Sequence, residues 1–120
     1  AAENLDAARR RLMDILCNYA GYRKCVPILV FDAYRVKGAG REQETWHNLH
    51  VIYTREAETA DMFIERATHE LAKNHRVRVV SSDGAEQIII LGNGALRVSA
   101  RAFEREVRAV EAEIREFLDQ

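Results

Sequence analysis

VPILVFD, residues 26–32, decides the fold. VPILVF is an unbroken apolar run with β-branched residues and a proline near its start, and it reads as a short strand buried on both faces. A strand of that kind belongs to a parallel sheet covered by helices. The run ends on a carboxylate, Asp32, so the strand also delivers an acid to one edge of that sheet.

Upstream, Leu5, Ala8, Leu12, Ile15, Leu16 and Tyr19 recur at spacings of three and four. They predict an amphipathic helix over about 4–20, with Asn4 as N-cap and Gly21 closing it. Downstream, residues 32–48 hold two glycines and many polar residues without a period, and read as a loop. LHVIYT (49–54) reads as a second strand. Residues 59–73 read as a helix capped by Thr59, with Ala60, Phe63, Ile64, Ala67 and Leu71 inward. RVRVVSS (76–82) is a third strand. GAEQIIILG (84–92) reads as a short helix ending at Gly92, and ALRVS (95–99) as a short fourth strand. Ser99 caps a long final helix, 100–118, with Phe103, Val107, Val110, Ile114, Phe117 and Leu118 inward. Alternating strands and helices predict one α/β domain over residues 1–120, a mostly parallel sheet flanked by helices on both faces.

The chain has 120 residues, 48% of them hydrophobic and 31% charged, which fits a soluble globular domain with a real core and excludes disorder. The net charge of −1 gives no global attraction to nucleic acid or anionic membrane, so a polyanion would need a local basic patch. No apolar run has the length of a membrane span, and no stretch reads as a signal peptide. Two cysteines, Cys17 and Cys25, without a secretory signal suit free thiols in the cytoplasm.

Open parallel sheets place ligands outside the carboxyl ends of their strands. VPILVF runs into Asp32 there, RVRVVSS runs into Asp83, and the 59–73 helix starts at the same edge with Asp61 in its first turn. At about 100° per residue, Asp61 falls at the border of the helix's buried face, Glu65 further round, and His69 further still. Asp32, Asp61 and Asp83 can therefore converge, with Glu65 as an outer ligand. Converging carboxylates repel one another, and a divalent cation such as Mg²⁺ or Mn²⁺ removes that cost. Such a site cleaves phosphodiesters by activating water and offsetting charge on the phosphate. The competing reading makes Asp32 and Asp83 caps of the following loop and helix.

Arg35, Lys37 and Arg41 surround Gly38 and Gly40 in the loop after Asp32, a basic segment able to track a nucleic-acid backbone, while Tyr34 and Trp46 could stack on bases. His47 and His50 form H-x-x-H, but strand geometry sends them to opposite faces and no third ligand accompanies them, which argues against zinc. The glycine pairs at 38–40 and 92–94 lack a dinucleotide fingerprint. Ser81 and Ser82 have no histidine placed to activate them.

ILVFDAYRVKG (28–38), TREAETADMFIER (54–66), VVSSDGAEQ (79–87) and LGNGALRVSA (91–100), in that order, resemble the YacP-like branch of the NYN domains within the PIN-like nuclease superfamily. The resemblance implies a PIN-like three-layer fold and a metal-dependent endoribonuclease acting on messenger RNA in association with the ribosome. By motif, it assigns metal-ligand and catalytic roles to Asp32, Asp61 and Asp83, with Glu65 as a further ligand. It expects RNA contacts from Arg35, Lys37, Arg41 and Ser82. The family opens with a central strand ending in Asp-Gly-Tyr-Asn ahead of the first helix, and this chain begins at that helix. The resemblance therefore implies that this strand and its Asp are missing here. The expectation is an incomplete metal site, inactivity as a fragment, and a sheet that fills its gap by rearrangement or by strand exchange in a homodimer. The rival reading is a non-catalytic RNA- or ribosome-binding module of a larger protein.

Overall fold

A computed structural model describes residues 2–32, 43–54, 58–81, 86–92 and 97–120. The apolar run is strand β1 (Val26–Phe31), and it lies inside a mixed sheet. Before it comes helix α1 (Ala2–Arg23). After it come β2 (Gln43–Trp46), β3 (Leu49–Tyr53), α2 (Ala60–Leu71), β4 (Val77–Ser81), β5 (Glu86–Leu91), β6 (Arg97–Ser99) and α3 (Ala100–Leu118). The sheet order is β2-β3-β1-β5-β4-β6. β1 pairs in parallel with β3 and β4 with β6, whereas β1–β5, β4–β5 and β2–β3 are antiparallel.

Alternation along the strands builds two cores. Leu29 and Phe31 of β1, Leu49 and Val51 of β3, Val80 of β4, and Ile88 and Ile90 of β5 pack with Leu16 and Tyr19 of α1 and Phe103, Val107 and Val110 of α3. Val30, Val77, Val79 and Ile89 point the other way and pack against Ala60 and Ile64 of α2. Helices thus cover both faces, which is why β1 reads as a continuous apolar run.

Several expectations need correction. The sheet is mixed rather than mostly parallel, chiefly because residues 86–91 form a strand and not a helix. Three consecutive isoleucines suit this arrangement: a strand sends Ile88 and Ile90 to one covered face and Ile89 to the other, and neighbours on both sides satisfy its backbone. The helix expected over 84–92 is therefore replaced over 86–91 by a strand, while Asp83 lies outside the described residues. Within the expected loop 32–48, residues 43–46 form edge strand β2, joined to β3 by a turn at His47 and Asn48 in which His47 has φ 56°. α1 starts before Asn4 and runs through Gly21. Its stop is a Schellman-type closure, with Lys24 at φ 56° and the Cys25 N–H donating to the Ala20 carbonyl at 3.1 Å. In α3, Phe117 and Leu118 are exposed rather than inward, because the helix outruns the sheet beneath it.

The other caps fall where the side chains dictate. Thr59 Oγ1 accepts from the Met62 N–H at 3.2 Å and Ser99 Oγ from the Ala102 N–H at 3.1 Å. Gly92 leaves β5 at φ 111°, and its N–H donates to the Arg76 carbonyl at 2.8 Å. A Cβ there would meet Cys25 only at an ordinary 3.7 Å, so any cost is backbone strain. Gly92→Ala is expected to lower stability by about 1–3 kcal/mol, read from the urea midpoint, and an unchanged midpoint would refute the strained conformation.

One ion pair is largely enclosed beneath α3. Arg78 Nη1 lies 2.9 Å from Glu106 Oε1 and 2.7 Å from Oε2, with the side chains 17% and 27% exposed. Burial and then the Glu106 charge push the Tyr19 hydroxyl and the Cys25 thiol above their ordinary pKa values. The unfolded chain releases these protons first, so folding must take them up again. Stability is therefore full below the ordinary thiol value of 9.0 and falls as pH rises through it and through the tyrosine value of 10.0. Denaturation midpoints measured from pH 7 to 11 should fall, and Tyr19→Phe should flatten the upper part of that fall.

Candidate acidic site at the sheet edge

β1 ends at Phe31, and Asp32 follows at the edge where β3 also ends. The Thr54 N–H donates to the Phe31 carbonyl at 3.0 Å and ties the two strand ends together. α2 begins just beyond, capped by Thr59, with Ala60 against Val30 in the core. Asp61 lies in the first turn of α2, where the positive end of the helix dipole favours a carboxylate. Its Oδ1 accepts a hydrogen bond from Gln87 Nε2.

That hydrogen bond locates the site. Gln87 is 7% exposed, on β5, directly opposite Val30 in the β1–β5 ladder. A buried amide therefore anchors Asp61 over the end of β1, beside the position that carries Asp32. Asp32 is half-buried, and Asp61 is exposed at the border of the α2 inner face, as the helix angles predict. Glu65, one turn further along α2, is exposed, as is His69. Glu58 is half-buried and paired to Arg66 at 2.9 Å. The carboxyl end of β4 and the start of β5 lie at the same edge, since Glu86 pairs with Phe31. Asp83 and Ser82, between those strands, lie outside the described residues, and so do Tyr34, Arg35, Lys37 and Arg41 of the basic loop.

Among the described residues, no three metal-ligating side chains form a group. The two acids that share the edge, Asp32 and Asp61, offer oxygen donors only, a chemistry that suits hard cations such as Mg²⁺ and Mn²⁺. Gln87 is the member of this site that sequence reasoning missed. The signal was present: Asp83-Gly84 between two β-branched runs is a hairpin signature, and in the resulting strand Gln87 falls on the same face as Ile89, towards α2. Cys17 and Cys25 are free thiols, as expected. No helix among the described residues is long and apolar enough to cross a membrane.

The α/β fold with its acidic sheet edge matches a known class. The chain belongs to the YacP-like NYN domain family, whose model matches residues 1–120. It is 41% identical over 114 residues to the YacP protein of Bacillus subtilis strain 168, covering 94% of this chain and 66% of that protein. The crystal structure of Rae1 (YacP) from Bacillus subtilis superposes with a TM-score of 0.73 at 34% identity, covering 94% of this chain and 65% of that one. The chain thus spans just under two thirds of the length of these relatives.

Proposed function

We propose that this chain carries the acidic centre of a metal-dependent endoribonuclease of PIN-like fold that cuts messenger RNA associated with the ribosome in the cytoplasm. The observation that supports this reading most is the anchoring of Asp61 by buried Gln87 beside the strand end that carries Asp32. Membership of the NYN family supplies the reaction class.

Asp32 and Asp61 hold the cation through their carboxylate oxygens, with Asp83 as the third acid and Glu65 in an outer position. Bound Mg²⁺ or Mn²⁺ supplies activated water and offsets charge on the phosphate. Gln87 fixes the Asp61 carboxylate so that it need not reorganise when RNA binds. Arg35, Lys37, Arg41 and Ser82 contact the RNA backbone and set its register. The test is cleavage of a labelled messenger RNA fragment by the intact protein, with Mn²⁺, with chelator, and with Asp61→Asn. Undiminished cleavage by the variant would overturn the reading.

A further inference from the structure

On the α1 face of the sheet lies a concave feature that runs along β2, from Tyr53 near the acidic edge to Trp46, which pairs with Leu49 at the other end of β3. It is a cleft of about 380 Å³ between α1 and the edge strand β2, lined by Arg9, Arg10, Glu44, Trp46 and Tyr53 among others. Its aromatic layer is ordered: Tyr53 stacks on Phe31 with centroids 5.6 Å apart, and the Arg9 guanidinium lies 5.8 Å from the Phe31 centroid. The Tyr53 hydroxyl donates to Glu44 Oε1 at 3.1 Å, which fixes that carboxylate at the cleft wall. Trp46 stands at the rim with 38% of its surface exposed, and Arg10 is exposed on α1. Glu44 and Trp46 are two apart on β2, so they line the same face.

We infer that this cleft binds one nucleotide of a single-stranded RNA whose backbone crosses the sheet edge to the acidic site, an inference that rests on the RNA-cleaving reading above. Each wall has a matching chemistry. Trp46, with the His47 ring edge-to-face against it at 5.1 Å, offers its remaining exposed surface for a base to stack on. Arg10, with Arg9 beside it, supplies cations for the phosphate. Glu44 is a pure acceptor pinned by Tyr53, so it accepts from a base that carries an exocyclic amino group. Adenine, cytosine and guanine have such a group, whereas the one Watson–Crick donor of uracil, N3–H, lies between two carbonyl oxygens that a carboxylate repels. Phe31 links the two sites, since its ring lies under Tyr53 and Arg9 and the next residue is Asp32. The Glu44 carboxylate would repel a phosphate, so the base and not the phosphate occupies that end of the cleft.

Trp46 is the sole tryptophan of the chain, so its fluorescence reports the cleft directly. The experiment titrates the chain with single-stranded RNA hexamers of A, C or U and with AMP, at several salt concentrations. The expected result is saturable quenching, tighter for A and C than for U, with AMP much weaker than either. Arg10→Ala should weaken binding of all hexamers and reduce the salt slope by about one. Glu44→Gln should remove the discrimination against U. Because Trp46→Ala removes the reporter, its binding is read from a labelled hexamer, where a loss of about 5- to 150-fold is expected. Absence of quenching, equal affinity for U, or AMP binding as tight as the hexamers would overturn the proposal. Asp61→Asn separates the two claims. Should it abolish cleavage while hexamers leave Trp46 unquenched, the cleft proposal fails and the nuclease reading stands. Hexamers that quench Trp46 in a protein that never cuts RNA leave the cleft as an RNA-binding surface and remove the nuclease reading.

Discussion

Asp61→Asn in the intact protein is expected to slow RNA cleavage at least about 100-fold, a loss of roughly 3 kcal/mol of transition-state stabilisation. RNA affinity should change little, because phosphate-binding cations and stacking residues supply most of it. The substitution removes a charge while keeping a side-chain oxygen that can still accept from Gln87, so the fold should persist. Asp32→Asn should behave in the same way. Gln87→Ala should have a smaller effect of a different kind: Asp61 keeps its charge but loses its anchor, so the rate falls and partly recovers at high Mn²⁺. Single-turnover cleavage against Mn²⁺ concentration distinguishes the two. A Gln87→Ala variant whose Mn²⁺ dependence matches wild type would show that the anchor does not matter.

Leu29→Ala is expected to remove about 2–5 kcal/mol of stability, a large part of the roughly 5–15 kcal/mol that holds a domain of this kind folded. Leu29 is fully buried and central, with β3 on one side of its strand and β5 on the other. Its side chain belongs to the core shared with α1 and α3, so truncation leaves a cavity that the sheet backbone cannot collapse to fill. Val26, in the same strand, is 40% exposed, and Val26→Ala should cost less than about 1 kcal/mol. Urea denaturation of both variants makes the comparison, and equal losses would contradict the central placement of β1.

The residues that could be read directly were those whose local signal and tertiary role agree. VPILVF needed no context, because only a strand covered on both faces tolerates an unbroken apolar run. Thr59 and Ser99 announced helix starts through their hydroxyls, and both accept the expected amide. Asp61 followed from the helix angle alone.

The segment at 86–91 shows the limit. A short run of isoleucines flanked by Glu86 and Gln87 satisfies either a helix or a strand locally. The choice was made by the space between β1 and β4, where an extended chain pairs its backbone on both sides and buries isoleucines on both faces. With that choice came the antiparallel pairing, the mixed sheet, and Gln87 as the anchor of Asp61. The aromatic cleft has the same origin: the β2–β3 hairpin brings Glu44 to Tyr53, and the distant Arg9 joins them only because α1 packs against β1 and β3. The sequence alone determined the α/β class, β1, the starts of α2 and α3 and the place of Asp61 in the first turn of α2, since periodicity and capping are local. Tertiary structure alone decided strand direction, β5 and the partners around each acid, since backbone pairing and two-sided burial depend on neighbours distant along the chain.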